Sequence, residues 1–214
     1  MQPARDPKVN YKHLVAAGYD ACAAAYEEAR GEALQPEIKW LKKQLPNQAA
    51  VLDIGCGCGL PVTRELAKRF VVTGVDISAE QIRRARRHVR HATFLHCDIL
   101  ALDFPLESFD AVTAFYVIFH LPLGDQARLF KNIRGWLKPG GYLLATLSNE
   151  AQEPYTEDDF FGAKMYWSNF GMREYEVMLA DAGFKLLNTA RLGSGYTLAA
   201  PPESHPLVIA QVSS

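Results

Sequence analysis

The chain has 214 residues, 49% of them hydrophobic, enough to bury a sizeable core in one domain and too apolar for a disordered or fibrous protein. Its 23 Lys and Arg against 24 Asp and Glu leave a formal charge of −1, which excludes a global attraction to nucleic acid or to an anionic membrane. No apolar stretch is long enough to cross a bilayer, and the start through Pro7 lacks the apolar core of a signal peptide; a cytoplasmic location without a membrane partner is expected.

In chain order, residues 10–30 place Leu14, Gly18, Ala21, Ala25 and Ala29 at helical spacing, with Tyr19 and Tyr26 seven apart. Residues 34–45 form a second amphipathic stretch through Ile38, Trp40, Leu41 and Leu45, broken by Pro46-Asn47. This N-terminal helical segment, residues 1–45, is expected to act as a lid on a main domain spanning 46–214. Short apolar runs then alternate with helical patterns. Strands are expected at 50–54, 71–75, 93–96, 111–115, 142–147, 184–192 and 206–212, and helices at 60–69, 79–89, 124–136 and 172–182. Strand and helix in alternation predict an α/β fold, a single doubly wound, mostly parallel sheet whose ligands sit at the carboxyl ends of the strands. Only the last two strands lack a helix between them, so they are expected to pair antiparallel at one edge.

Cys22, Cys56, Cys58 and Cys97 are too few and too irregular for a disulfide framework, and no suitably spaced Cys or His pair completes a zinc site. Free thiols and no metal are expected.

The chemistry concentrates where the first strand runs into Asp53-Ile54-Gly55-Cys56-Gly57-Cys58-Gly59, followed by a helix opening at Leu60-Pro61, where proline suits the first turn. Glycines let the backbone approach a ligand, and a helix N-terminus offers unpaired N–H groups. The second strand ends at Asp76, 21 positions after Gly55, the distance at which an acid in such folds bonds ribose hydroxyls. The glycines read G-x-G-x-G, whereas a dinucleotide site expects G-x-G-x-x-G, and Asp53 stands two residues before the first. A carboxylate there would repel a pyrophosphate and tolerate an ammonium and a sulfonium, which favours S-adenosylmethionine over NAD.

Five segments in order carry a family resemblance over roughly residues 19–212. Residues 51–59 resemble the first motif of class I S-adenosylmethionine-dependent methyltransferases, of the small-molecule kind, and Val75-Asp76-Ile77-Ser78 the second. Leu95-His96-Cys97-Asp98-Ile99 resembles the segment whose Asp faces the adenine amino group, Phe109-Asp110-Ala111-Val112 the fourth strand, and residues 137–143 the turn before the fifth. The resemblance implies a Rossmann-like sheet of seven strands. It also implies a cofactor site in which Gly55 and Gly57 line the methionine part, Asp76 the ribose, and Asp98 with Ile99 the adenine, with Asp53, Cys56, Pro61, Ile77, Gln81 and Phe115 as further cofactor-binding residues. Tyr19-Asp20 to Tyr26 resembles an N-terminal helix that folds over the cofactor, with Tyr26 and Arg30 in reach of the methionine carboxylate; ordinary helix-face roles are the alternative.

After the fourth strand, Phe115 to Pro122 occupies the strand end where the transferred methyl group should point. The sulfonium methyl is already activated, so holding a nucleophile in line and excluding water are the main requirements. His120 is a candidate base, its ordinary pKa suiting work near neutrality, with Tyr116 beside it; a histidine bonding a loop or touching the cofactor is the alternative. The aromatic run from Phe160 to Trp167 lies inside an expected substrate loop at 151–170. With Tyr116, Phe119 and His120, it contributes Tyr166 and Trp167 to a pocket whose ring faces suit a cationic amine or sulfonium; packing of the loop onto the sheet is the alternative.

The arginines at 83, 84, 86, 87 and 90 lie opposite an apolar stripe of Ile82, Ala85 and Val89, which makes them a solvated face. No Asn/Asp-Pro-Pro-aromatic segment follows the fourth strand, so nucleic acid is not expected as a partner. Methyl transfer to the N, O or S of a small molecule leads. Methylation of a protein or RNA, and a non-catalytic S-adenosylmethionine-binding regulatory module, are the alternatives. A monomer or homodimer is expected.

Overall fold

The computed structural model describes residues 10–30, 36–191 and 205–213. Six α-helices are present among them, α1 (Tyr11–Arg30), α2 (Pro36–Gln44), α3 (Val62–Ala67), α4 (Ala79–His88), α5 (Leu123–Trp136) and α6 (Met172–Asp181). The strands are β1 (Ala50–Ile54), β2 (Val71–Asp76), β3 (Thr93–His96), β4 (Phe109–Ala114), β5 (Leu137–Thr146), β6 (Gln152–Phe160), β7 (Ala163–Asn169), β8 (Phe184–Arg191) and β9 (Pro206–Val212).

Seven strands form one sheet in the order β3-β2-β1-β4-β5-β9-β8. The first five are mutually parallel, and β9 runs against both β5 and β8. The expected antiparallel edge pair is therefore present. Alternate side chains feed two cores: Leu52, Val112 and Leu143 point to α5 and α6, while Val51, Ala111 and Leu144 point to α2 and α3. Burial on both faces is why these strands read as continuous apolar runs. Ile38 and Leu41 place α2 in the core of the sheet, whereas α1 forms a separate cluster with β6 and β7 through Val15, Cys22, Phe160 and Met165. The chain reverses its direction of travel across the sheet between β1 and β4, which opens a crevice at their carboxyl ends.

Two segments differ from the sequence expectation. Residues 151–170 are not a loop: β6 and β7 pair as an antiparallel hairpin, closed by Phe161 (φ 52°) and Gly162 (φ 81°). Positive φ at both central residues makes a tight primed turn, for which Asn-Gly is the usual signature and Phe-Gly gives no signal. Register shifts after Gln152 and after Glu157 also break the alternation a strand would show. Similarly, β5 starts at Leu137 because Gly140 (φ 74°) carries an irregularity within the strand. Gly141 is required beside it, since a Cβ there would lie 2.9 Å from the Lys138 carbonyl oxygen. Among the described residues, no helix is long and apolar enough to cross a membrane.

Candidate active site

The glycine-rich turn is held by backbone bonds to the neighbouring strand. The Gly55 and Cys56 N–H groups donate to the Val75 carbonyl at 2.8 and 3.1 Å, and the Gly57 N–H donates to Asp76 Oδ2 at 2.9 Å. Ser78 N–H donates to Asp76 Oδ1 at 2.9 Å, so the carboxylate that ends β2 is fixed from both sides. Burial pushes its pKa up, and the two backbone donors pull against that shift. Gly57 adopts φ 54°, and a Cβ built on it would find no neighbour nearer than Gln81 Oε1 at 3.8 Å. The missing side chain thus leaves room on the cleft side of the turn.

The cleft encloses about 720 Å³, its open mouth included. One wall is Gly55, Gly57, Asp76, Ile77 and Gln81; the far end is Cys97, Asp98 and Ile99; Phe115, Tyr116, Val117 and His120 close the other side. Gln81 Oε1 is buried there with no hydrogen-bond partner. Helix α1 supplies the roof through Tyr11, Lys12, Val15, Tyr19 and Tyr26. Asn10 opens this helix by accepting the His13 N–H at 3.2 Å. Polar anchors then run along its length: Lys12 to Asp98 at 2.5 Å, Asp20 to Ser78 Oγ at 2.6 Å and to the Glu80 N–H at 2.9 Å, and Glu27 to Arg84 at 3.0 Å. Gly18 lets the helix lie on β7, since a Cβ would come within 2.7 Å of the Lys164 carbonyl oxygen.

His120 is buried under this roof. Its Nδ1 lies 2.9 Å from the Tyr166 carbonyl oxygen and its Nε2 2.8 Å from the Tyr19 hydroxyl. A carbonyl only accepts, so Nδ1 carries the proton and Nε2 takes the Tyr19 O–H. Burial lowers the pKa of the imidazole to about 4, which keeps it neutral and its Nε2 lone pair available at neutral pH. The Trp167 ring packs against the imidazole at 4.4 Å with a 38° tilt. The end of β7 is locked to the same loop, because Ser168 Oγ donates to the Leu121 carbonyl at 2.6 Å and Gln126 Nε2 bridges the Leu121 and Ser168 carbonyls at 2.9 Å each.

A second cavity of about 1570 Å³, mouth included, adjoins the first. Tyr19, Tyr26 and Tyr116 line both. Its remaining walls include Phe119, Phe160, Phe161 and Trp167, with Glu150 and Glu157 at the exposed rim. Tyr116, immediately after β4, holds φ 57°, an uncommon conformation for a residue with a Cβ, which sets its ring between the two spaces. The Arg30 guanidinium lies over that ring at 4.5 Å and over Tyr26 at 5.8 Å.

Of the residues expected from sequence at the cofactor, Tyr19, Tyr26, Gly55, Gly57, Asp76, Ile77, Gln81, Asp98, Ile99 and Phe115 line the cleft. Asp53, Cys56, Pro61 and Arg30 are not among its lining residues. Asp53 is 2% exposed and accepts Thr63 Oγ at 2.5 Å and Thr113 Oγ at 2.7 Å; burial raises its pKa to about 6. It braces β1 against α3 and β4, so the premise that its charge meets the ligand does not hold. Cys56 turns its thiol behind the turn toward Gly74, where a Cβ would come within 3.0 Å of its sulfur. Pro61 starts α3. Tyr116, Phe119 and Trp167 line the second cavity and His120 the first, whereas Tyr166 serves through its carbonyl and packs its ring on Tyr11 at 5.7 Å. Sequence reasoning missed Tyr11, Lys12 and Val15, although 11, 15, 19 and 26 share one helical face. It also missed Glu150, Tyr155, Glu157, Asn169 and His205, which reach the second cavity through the hairpin, the turn before it and the residue entering β9.

Among the described residues, one trio of metal-type donors converges, Glu27, Cys58 and His88, with ligand atoms within 4.8 Å of one another. Arg84 already neutralises Glu27, and burial raises the Cys58 thiol to about 11, both of which oppose a cation.

A family model described as a methyltransferase domain matches residues 51–141, the stretch from β1 through the glycine pair of β5. Cycloartenol-C-24-methyltransferase of Arabidopsis thaliana is 35% identical over 158 residues, which cover 62% of this chain and 46% of that protein. Ubiquinone biosynthesis O-methyltransferase of Coxiella burnetii is 34% identical over 124 residues, 55% of this chain and 52% of that protein. The chain spans about half the length of the curated relatives it matches. Among solved structures, the 1,6-didemethyltoxoflavin-N1-methyltransferase of Burkholderia thailandensis, with 1,6-didemethyltoxoflavin and S-adenosylhomocysteine bound, aligns at a TM-score of 0.72 and 20% identity over 100% of this chain and 93% of its own. Magnesium protoporphyrin IX methyltransferase of Synechocystis, with S-adenosylmethionine bound, aligns at 0.72 and 15% over 98% of this chain and 100% of its own; at such identities the likeness is one of fold. The sheet order and the glycine-rich turn are those of a Rossmann-like fold shared with these methyltransferase structures, and residues 51–141 are similar to the methyltransferase domain.

Proposed function

We propose that the protein transfers a methyl group from S-adenosylmethionine to the N, O or S of a small molecule by in-line displacement. The observation that carries this reading is the pair of adjoining cavities that share Tyr19, Tyr26 and Tyr116 as a common wall, one space for a donor and one for an acceptor. Three features of the first cavity suit the donor. The absent Gly57 side chain leaves a cradle, Asp76 offers a fixed carboxylate to two hydroxyls, and Gln81 Oε1 is an acceptor lacking a donor. When bound, the donor supplies an activated methyl group on a sulfonium.

The chain's own residues hold and exclude. Gly55 and Gly57 would take the methionine part, Asp76, Ile77 and Gln81 the ribose side, Asp98 and Ile99 the adenine end. Asp98 already spends its carboxylate on the Leu100 N–H at 3.0 Å and on Lys12, so its part is to fix the adenine wall and the roof together. Helix α1 serves as the lid that keeps water from the reacting centre. The acceptor would enter between the β6–β7 hairpin and α1, toward Tyr116 and His120. The test is methyl transfer from radiolabelled S-adenosylmethionine to a panel of phenols, amines and thiols, together with S-adenosylhomocysteine binding. Transfer to any of them, inhibited by S-adenosylhomocysteine, is expected. Tight cofactor binding with no transfer across the panel would instead favour a binding module.

A further inference from the structure

Resting on the methyltransferase reading, we infer that the second cavity takes a flat, conjugated acceptor carrying an ionisable O–H or N–H, and that the Tyr19 hydroxyl receives that proton with His120 behind it. Tyr19 is the member of the pair that lines both cavities, whereas His120 lines only the first. The Nε2 lone pair of His120 is taken by the Tyr19 hydroxyl at 2.8 Å, and its Nδ1–H is anchored on the Tyr166 carbonyl at 2.9 Å. His120 therefore acts through Tyr19 and is a positioning residue; Tyr19 is the catalytic one.

The shape of the cavity supports the acceptor class. Tyr19, Tyr116, Phe119, Phe160 and Trp167 give it ring faces on several sides, which suit a planar π-system. Glu150 and Glu157 on the rim disfavour an acceptor that carries a carboxylate or phosphate. The titratable and charged groups around the relay are Tyr11 with Asp125 at 3.2 Å, Tyr26, Arg30 over the Tyr116 ring, and His205, which packs on Phe119 at 5.2 Å.

A lone pair of the acceptor oxygen forms the new O–C bond as the C–S bond of the sulfonium methyl donor breaks, its electron pair returning to sulfur to leave a neutral thioether. The acceptor O–H proton passes to the Tyr19 oxygen while the Tyr19 proton passes to His120 Nε2, and the imidazolium then releases it to solvent. A protonated aryl ether is far more acidic than an imidazolium, so the weakly basic, buried His120 suffices for a phenol-like acceptor, whereas it would not take a proton from an aliphatic ammonium.

The experiment compares wild type, Tyr19→Phe and His120→Gln on 2-naphthol and on isoquinoline, a flat nitrogen nucleophile with no proton to lose. Binding of S-adenosylhomocysteine by calorimetry, and of 2-naphthol by its fluorescence, are read besides turnover. The expected result is binding of both molecules altered no more than a few-fold and at least a hundredfold loss of 2-naphthol methylation in Tyr19→Phe. That loss should shrink as pH rises to where 2-naphthol is itself ionised, and isoquinoline methylation should be spared. His120→Gln should show the same pH-dependent loss to a smaller degree. Equal losses on both acceptors, a loss that does not recover at high pH, or no binding of 2-naphthol by a protein that binds S-adenosylhomocysteine would each overturn the inference. Failure to bind S-adenosylhomocysteine at all would instead sink the methyltransferase reading beneath it.

Discussion

The two halves of the site are built by different means. The half proposed for the donor rests on backbone geometry, the turn at Gly55 and Gly57, the carboxyl ends of β1 and β2, and one acid fixed by two main-chain donors, under a roof of side chains from α1. The acceptor half is made of side chains brought from α1, the loop after β4 and the hairpin. Backbone geometry demands particular residues at particular spacings, so that half tolerates little change. A wall of rings can be rebuilt from other rings, so the acceptor half can vary without disturbing the fold. Two buried titratable groups beside the cavities, Asp53 behind the turn and His120 under the roof, are shifted in opposite directions.

The comparison is broken most severely by removing the acid of the donor half. Asp76→Ala deletes the carboxyl proposed to bond two hydroxyls, each such bond worth about 1–3 kcal/mol, so S-adenosylhomocysteine affinity should fall about a hundredfold or more by calorimetry. Acceptor binding should not change.

The next effect is pH-dependent stability, of order 3 kcal/mol from each buried group. His120 has a folded pKa near 4, below its unfolded value, so its contribution is present above the unfolded pKa and is lost as pH falls from about 6.5 to about 4. Asp53 has a folded pKa near 6, above its unfolded value, so its contribution is present below the unfolded pKa and is lost as pH rises from about 4 to about 6. The two oppose each other over the same interval. Denaturant titrations from pH 4 to 7 should show stability rising more steeply with pH in Asp53→Asn than in wild type, and falling with pH, relative to wild type, in His120→Gln. Parallel profiles would mean that neither group is shifted.

Smaller effects separate the halves again. Gly57→Ala forces a Cβ into φ 54° and into the cradle, costing about 1–2 kcal/mol of stability and weakening the donor site while sparing the acceptor cavity. Glu157→Gln at the rim should alter the KM of cationic acceptors only a few-fold, with no change in S-adenosylhomocysteine affinity, because an exposed charge is screened.

The same contrast explains what was legible in the sequence. The parallel sheet and its reversed strand β9 follow from apolar runs, and Gly55, Gly57 and Asp76 from the glycine turn and the strand end after it, because each has a local cause; the other cleft residues between Tyr19 and Phe115 were implied by the family resemblance. Asp53 was misplaced because sequence shows a charge near a glycine turn and not which way it faces; Thr63 and Thr113, which claim it, lie in other elements. The hairpin was hidden by its register shifts, and with it went Glu150, Tyr155 and Asn169. The Tyr19–His120 bond joins residues 101 positions apart, a pairing that no local pattern announces.

If the turn after β1 and the acid after β2 form an S-adenosylmethionine site separate from the acceptor cavity, calorimetric titration of S-adenosylhomocysteine should find one site per chain in wild type, affinity reduced at least a hundredfold in Asp76→Ala, and wild-type affinity in Trp167→Phe. Absence of binding to folded wild type, or equal affinity in wild type and Asp76→Ala, would contradict it.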